Sequence, residues 1–108
     1  MRLIESQMVN AVAARRNWQS GNTQVTKCDR GMVVYLHGNQ IAQLEPDDQC
    51  LWVTDAGWQT STTKSRLNAL LSALCPGCGI YQKQFVWYLT RHGKDQAMNH
   101  ETSYAVYL

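Results

Sequence analysis

Three features of the amino-acid sequence predict an α+β fold: a two-layer single domain, one antiparallel sheet with two helices, in the order α-β-β-β-α-β-β. Apolar residues recur at helical spacing in two stretches, one at the N-terminus and one past the middle of the chain. Short strand-like runs, punctuated by turn residues, lie between and after them. The chain has 108 residues, of which 44% are hydrophobic. That is enough for one core and too little for two comfortable domains.

The first helix is expected over residues 2 to about 18. Leu3, Ile4, Met8, Ala11 and Val12 fall near a 3.6-residue period, and Arg15 and Arg16 suit its C-terminal end. Ser20-Gly21-Asn22 closes it. Thr23–Lys27 is a short candidate strand, and Asp29-Arg30-Gly31 a turn. Met32–Leu44 divides at Gly38-Asn39, a pair that tolerates positive φ and suits a tight hairpin. Residues 45–49 form a turn rich in acids and Pro46. Cys50–Thr54 is a further strand, broken by Asp55-Ala56-Gly57.

The second helix carries the clearest signal. Leu67, Leu70, Leu71 and Leu74 sit at i, i+3, i+4 and i+7, and Pro76-Gly77 ends the pattern. Gly79–Leu89 reads as two strands joined around Lys83-Gln84, with Phe85, Trp87 and Leu89 on one side. Residues 91–102 read as a long polar loop, and 103–108 as a last, edge strand. Both helices are one-sided, so both are expected on the same face of the sheet.

Composition removes several classes of function. The net charge of +2 is too small to identify a nucleic-acid binder by itself. Its distribution says more. Glu45, Asp47, Asp48 and Asp55 make up four of the eight acids, whereas five cations face two acids from residue 56 onward. No run approaches the ~18 apolar residues that cross a bilayer, so no membrane role is expected. Glu5, Gln7 and Asn10 interrupt the N-terminal apolar stretch, which therefore does not read as an export signal. A cytoplasmic location with reduced thiols follows as the expectation.

The start of the second helix poses the main question. Thr60, Ser61, Thr62 and Thr63 supply N-caps. Lys64 and Arg66 then place positive charge where the helix dipole favours Asp or Glu. Free amides, hydroxyls and two cations together make a phosphate or carboxylate site. Lys64 and Arg66 flank the leucine stripe on opposite sides, so both reach one small ligand only at the helix tip. The competing reading is an ordinary cap, with Asp55 supplying the missing negative charge. Trp58 stands just before the hydroxyls, either as a stacking surface or as a lid on the core. Lys83, interleaved with aromatics in "YQKQFVWY", reads equally as part of a stacking platform or of a hairpin over the core. Trp52 and Trp87 are expected in the core.

Cys75-Pro76-Gly77-Cys78 has the spacing of half a zinc site. A four-thiolate set would need Cys28 and Cys50, and a mixed set two of His37, His92 and His100. Neither has the paired spacing that makes such a set clear. The preferred reading makes Cys28 and Cys50 small core residues and leaves Cys75 and Cys78 flanking a turn. No cofactor is expected. No nucleophile stands at a spacing that would pair it with a histidine, and no phosphate-binding glycine motif is present, so the protein is expected not to be an enzyme.

"LHGNQIA" at Leu36–Ala42, "GWQTSTTKSRLN" at Gly57–Asn68 and "QKQFVWY" at Gln82–Tyr88 together resemble a widespread group of small bacteriophage-encoded proteins. The resemblance covers about residues 22–89; the C-x-x-C and the tail beyond Arg91 lie outside it. It implies a phage origin, work in the host cytoplasm, and no particular chemistry. The expected function is then a small non-enzymatic accessory protein that binds nucleic acid through Thr62, Thr63, Lys64, Arg66, Trp58 and Lys83. The alternatives are a protein–protein inhibitor or modulator of a host enzyme or anti-phage defence complex, working through an aromatic patch or the acidic Glu45–Asp55 segment, and a small zinc-binding module.

Overall fold

A computed structural model describes residues 1–108. The order helix, strands, helix, strands holds, and the protein is α+β. Helix α1 (Leu3–Ala14) leads into strands β1 (Trp18–Ser20), β2 (Thr23–Cys28), β3 (Gly31–Leu36), β4 (Asn39–Leu44) and β5 (Cys50–Val53). Helix α2 (Ser61–Leu74) follows, then β6 (Gly79–Lys83), β7 (Val86–Arg91), β8 (Lys94–Ala97) and β9 (Tyr104–Tyr107).

The strands form two antiparallel sheets where one was expected. Six run in the order β1-β2-β3-β4-β5-β9, and three in the order β6-β7-β8. Register explains the core. Val25 lies opposite Val34, Val34 opposite Ala42, Ala42 opposite Val53, and Val53 opposite Tyr104. A second row runs Met32, Leu44, Leu51, Val106. Alternation along each strand puts both rows on one face, and all of these residues are buried. The opposite face carries Gln24, Thr26, Gln43 and Trp52.

Both helices cover the apolar face. Met8, Ala11 and Val12 of α1 and Leu67, Leu70 and Leu71 of α2 share one continuous core with it. The three-stranded sheet joins the same core through Ile80, Trp87 and Leu89, together with Met98 just beyond β8. Helix α2 is pinned to it by Asn68, whose Oδ1 accepts the Ile80 amide at 2.7 Å and whose Nδ2 donates to the Ile80 carbonyl at 2.9 Å. The side chain does for β6 what a neighbouring strand would do.

Several boundaries differ from expectation. Helix α1 stops at Ala14 because Arg15 adopts the left-handed conformation, φ 55° and ψ 51°, and caps it; Trp18 then opens a strand. The β3–β4 turn is His37-Gly38 (φ 51° and 78°), one residue before the expected pair. The β6–β7 turn is Gln84-Phe85, again positive in φ at both residues. Phe85 is therefore a turn residue, 92% exposed, and does not share a face with Trp87 and Leu89. The stretch 91–102, expected as loop, contains β8, whose four residues are all exposed. Trp87 is core, but Trp52 lies on the outer face and donates its indole N–H to Glu45. Gly31 holds φ 105°, and a Cβ there would stand 1.9 Å from the Leu44 carbonyl oxygen, so only glycine fits.

Candidate functional site

A cleft of about 380 Å³ opens at the N-terminus of α2, lined chiefly by Leu36, His37 and Asn39 from the β3–β4 hairpin and by Trp58, Thr60, Thr62 and Thr63. Two sequence stretches some twenty residues apart thus meet in one place. The hairpin turn brings the first, with His37 exposed in a left-handed conformation. The second follows the 55–60 loop, which Asp55 shapes from inside.

Asp55 is wholly buried. Its Oδ1 accepts the amides of Gly57 at 2.7 Å and Glu101 at 2.8 Å; its Oδ2 accepts from Gln59 Nε2 at 3.0 Å and faces His100 Nδ1 at 3.4 Å. The carboxylate therefore holds two loops together; it also lines the cleft, but it accepts none of the α2 amides. Capping falls to Thr60, whose Oγ1 accepts the Thr63 amide at 3.1 Å and pairs with Thr63 Oγ1 at 3.0 Å. The amides of Ser61 and Thr62 donate to no group of the protein. The helix end is open, with two free donors, hydroxyls beside them and a 61% exposed Trp58 at the rim.

The expected cations do not assemble there. Arg66 is 4% exposed and is enclosed by partners from α1 and the β1–β2 hairpin. Its Nη1 donates to Glu5 Oε2 at 2.8 Å, its Nε to Thr23 Oγ1 at 3.1 Å, and its Nη2 to Asn22 Oδ1 at 3.4 Å. Ser65 Oγ donates to the same Glu5 oxygen at 2.5 Å. With three of its five donors used inside the protein and the side chain buried, Arg66 is removed from the expected anion site. Lys64 stays half-exposed, one turn into α2, and makes no ion pair. Lys83 lies on the β6–β7 hairpin, outside the cleft. Arg15 is spent on Asp48 and on the Pro46 carbonyl. Trp58, Thr62 and Thr63 are brought together; Lys64, Arg66 and Lys83 are not.

The acidic segment offered to a protein partner is largely satisfied internally. Glu45 accepts from Trp52, Asp47 accepts the Gln49 amide, Asp48 pairs with Arg15, and Asp55 is buried. On the three-stranded sheet Tyr81 and Tyr88 stack on each other, centroids 5.3 Å apart, and Tyr81 donates to Asp95. The aromatics beside Lys83 are thereby partnered in part.

The four-cysteine metal set does not form. Cys28 is exposed, against the core position expected for it, while Cys50 is buried near the opposite end of its strand pairing with Tyr107. Cys75 and Cys78 are buried with sulfurs 3.1 Å apart. Burial, and next the adjoining Cys78, push the Cys75 thiol up to about 11.

What sequence reasoning missed is the convergence of "LHGN" with "GWQTSTT" in one cleft. Nothing in either stretch says that the other lies beside it. Against known proteins, a family model described as Kyanoviridae Gp96 protein matches residues 1–106. No curated protein and no solved structure matches the chain.

Proposed function

The chain belongs to the Kyanoviridae Gp96 protein family, and on that premise we propose that it is a non-enzymatic phage accessory protein that binds single-stranded nucleic acid in the cleft at the start of α2. One observation carries this reading: the exposed indole of Trp58 lines a cleft together with Thr62, at a helix end where the Ser61 and Thr62 amides have no partner in the protein. An unpaired base presents a π-face to Trp58, and base–aromatic stacking contributes about 1–3 kcal/mol per base. A phosphate oxygen takes the Ser61 and Thr62 N–H groups along the dipole, with the Thr62 hydroxyl beside it. His37 and Asn39 supply donors and acceptors for a base edge or sugar.

The reading replaces a cationic site by a neutral one, and its salt dependence changes accordingly. Each phosphate neutralised on a single strand contributes a slope of about −0.7 in log K against log salt. With only Lys64 near the helix start, the slope should be about −0.7, far shallower than that of a basic groove.

Fluorescence anisotropy with labelled single-stranded DNA, single-stranded RNA and duplex, each at two salt concentrations, tests the proposal. Single strands should bind in preference to duplex. Trp58→Ala should weaken that binding by about 5- to 150-fold, the equivalent of one stacked base. Arg66→Lys should act through stability alone. No binding of any nucleic acid at low salt, or binding that Trp58→Ala leaves unchanged, overturns the proposal.

A further inference from the structure

We propose that Cys75, Cys78 and His92 form a zinc site, with a fourth position open to solvent. These are the three side chains of the protein whose thiol and imidazole ligand atoms all come within 4.8 Å of one another. The proposal is independent of the nucleic-acid reading and concerns the other end of α2.

The fold brings the three together from separate elements. Cys75 caps the C-terminus of α2, and its amide still donates to the Leu71 carbonyl. Pro76 and Gly77, the latter at φ 91°, then turn the chain so that the Cys78 amide donates to the Cys75 carbonyl at 3.1 Å. The turn sets both sulfurs on the same side. His92 arrives on the β7–β8 hairpin, where His92-Gly93 have φ 50° and 81°. Arg91, its neighbour, donates to the Ala105 carbonyl of β9 at 2.7 Å, and Cys75 Sγ lies 3.8 Å from the Tyr107 carbonyl. The site therefore sits where α2, the three-stranded sheet and the edge strand of the six-stranded sheet meet.

Donor chemistry selects the ion. Two thiolates and one imidazole suit zinc, which takes Cys and His ligands tetrahedrally with Zn–S near ~2.3 Å. Tetrahedral angles at that bond length set the sulfurs at about 3.7–3.8 Å. The observed 3.1 Å asks for an outward movement of well under 1 Å. Both cysteines are buried, at 4% and 8%, while His92 is exposed. Protein thus closes two sides of the site, and the imidazole side opens to water, which leaves room for an exogenous fourth ligand. Three protein ligands with one open position are the arrangement of a zinc that can still bind a small ligand.

The test uses the full chain, reduced and stripped of metal, titrated with zinc against a chromophoric chelator and separately with cobalt(II). One equivalent should bind, and cobalt should give the thiolate charge-transfer and ligand-field bands of a tetrahedral site. His92→Gln, a change at an exposed side chain, should keep the circular dichroism spectrum and weaken binding at least about 100-fold, more than loss of an outer-shell partner costs. Cys78→Ser should abolish the tetrahedral cobalt spectrum. Failure to bind an equivalent of zinc overturns the proposal. So does zinc binding that His92→Gln leaves unchanged, or a Cys75–Cys78 disulfide that forms in preference to the metal complex.

Discussion

Arg66 and Glu5 are both buried, at 4% and 3% exposure, and the guanidinium has no solvent to fall back on. A buried ion pair gives little net stability, because desolvation offsets much of the attraction, but removing one partner leaves an unpaired charge and costs about 3–5 kcal/mol. Glu5→Gln should therefore lower the unfolding free energy measured in urea by about 3–5 kcal/mol. The same pair sets a pH dependence. Burial raises the Glu5 pKa, but the hydrogen bonds from Ser65 and Arg66 and the Arg66 charge outweigh it, and the carboxyl is held below its ordinary value of 4.5. A depressed pKa means that the unfolded chain takes up the proton first. The stability this group contributes is thus present above the ordinary carboxylate range and lost as the pH falls below it, through the folded value. Urea unfolding followed from neutral pH down should show that loss in the native protein, and Glu5→Gln should lack that component. A cation near a helix start read as a ligand site in the sequence; its carboxylate partner stood sixty-one positions away, and nothing local announced it.

Elements differ in how far their sequences declare them. Helix α2 was legible because Leu67, Leu70 and Leu71 obey a period that only one secondary structure satisfies. Strand β8 was not, because Lys94–Ala97 has no apolar alternation: all four residues are exposed, and the strand exists through its pairing with β7 alone. The hairpin turns slipped by one residue for a related reason. A two-residue turn with positive φ at both positions favours Asn or Gly, yet here it accepts His37-Gly38 and Gln84-Phe85. Register was settled by which residues face the core, not by turn preference. The joint between α2 and β6 is likewise invisible in sequence, since Asn68 is one polar residue on a helix. It satisfies both backbone groups of Ile80, a residue 5% exposed. Asn68→Ala should destabilise the protein by about 2–3 kcal/mol, two hydrogen bonds with their partners left buried. Hydrogen exchange should show the Ile80 amide losing protection.

At the scale of the molecule, two sheets share one core, with α2 in contact with both. No part of the three-stranded sheet has an apolar interior of its own, since Ile80, Trp87 and Leu89, with Met98 just beyond β8, all pack into the common cluster. Unfolding should accordingly be a single transition: far-ultraviolet circular dichroism and the fluorescence of buried Trp87 should give coincident curves in urea. Separate midpoints would show that the sheets melt independently. The two ends of α2 then differ in what surrounds them, an open amide end beside Trp58 and the threonines, and a thiol end beside His92. No helix is long and apolar enough to cross a membrane, and the family match places the chain among phage proteins. By itself the sequence determined the fold class, the second helix and most of the strands, because hydrophobic periodicity is local and each element displays it along its own length. It also held the hydroxyl run and the C-x-x-C in plain view. Only the tertiary structure decided that Arg66 turns inward to Glu5, that His37 and Asn39 face Trp58, and that His92, not Cys28 or Cys50, stands beside Cys75 and Cys78. Those are contacts between residues far apart along the chain, selected by strand register and core packing acting together, and no short stretch of sequence contains them.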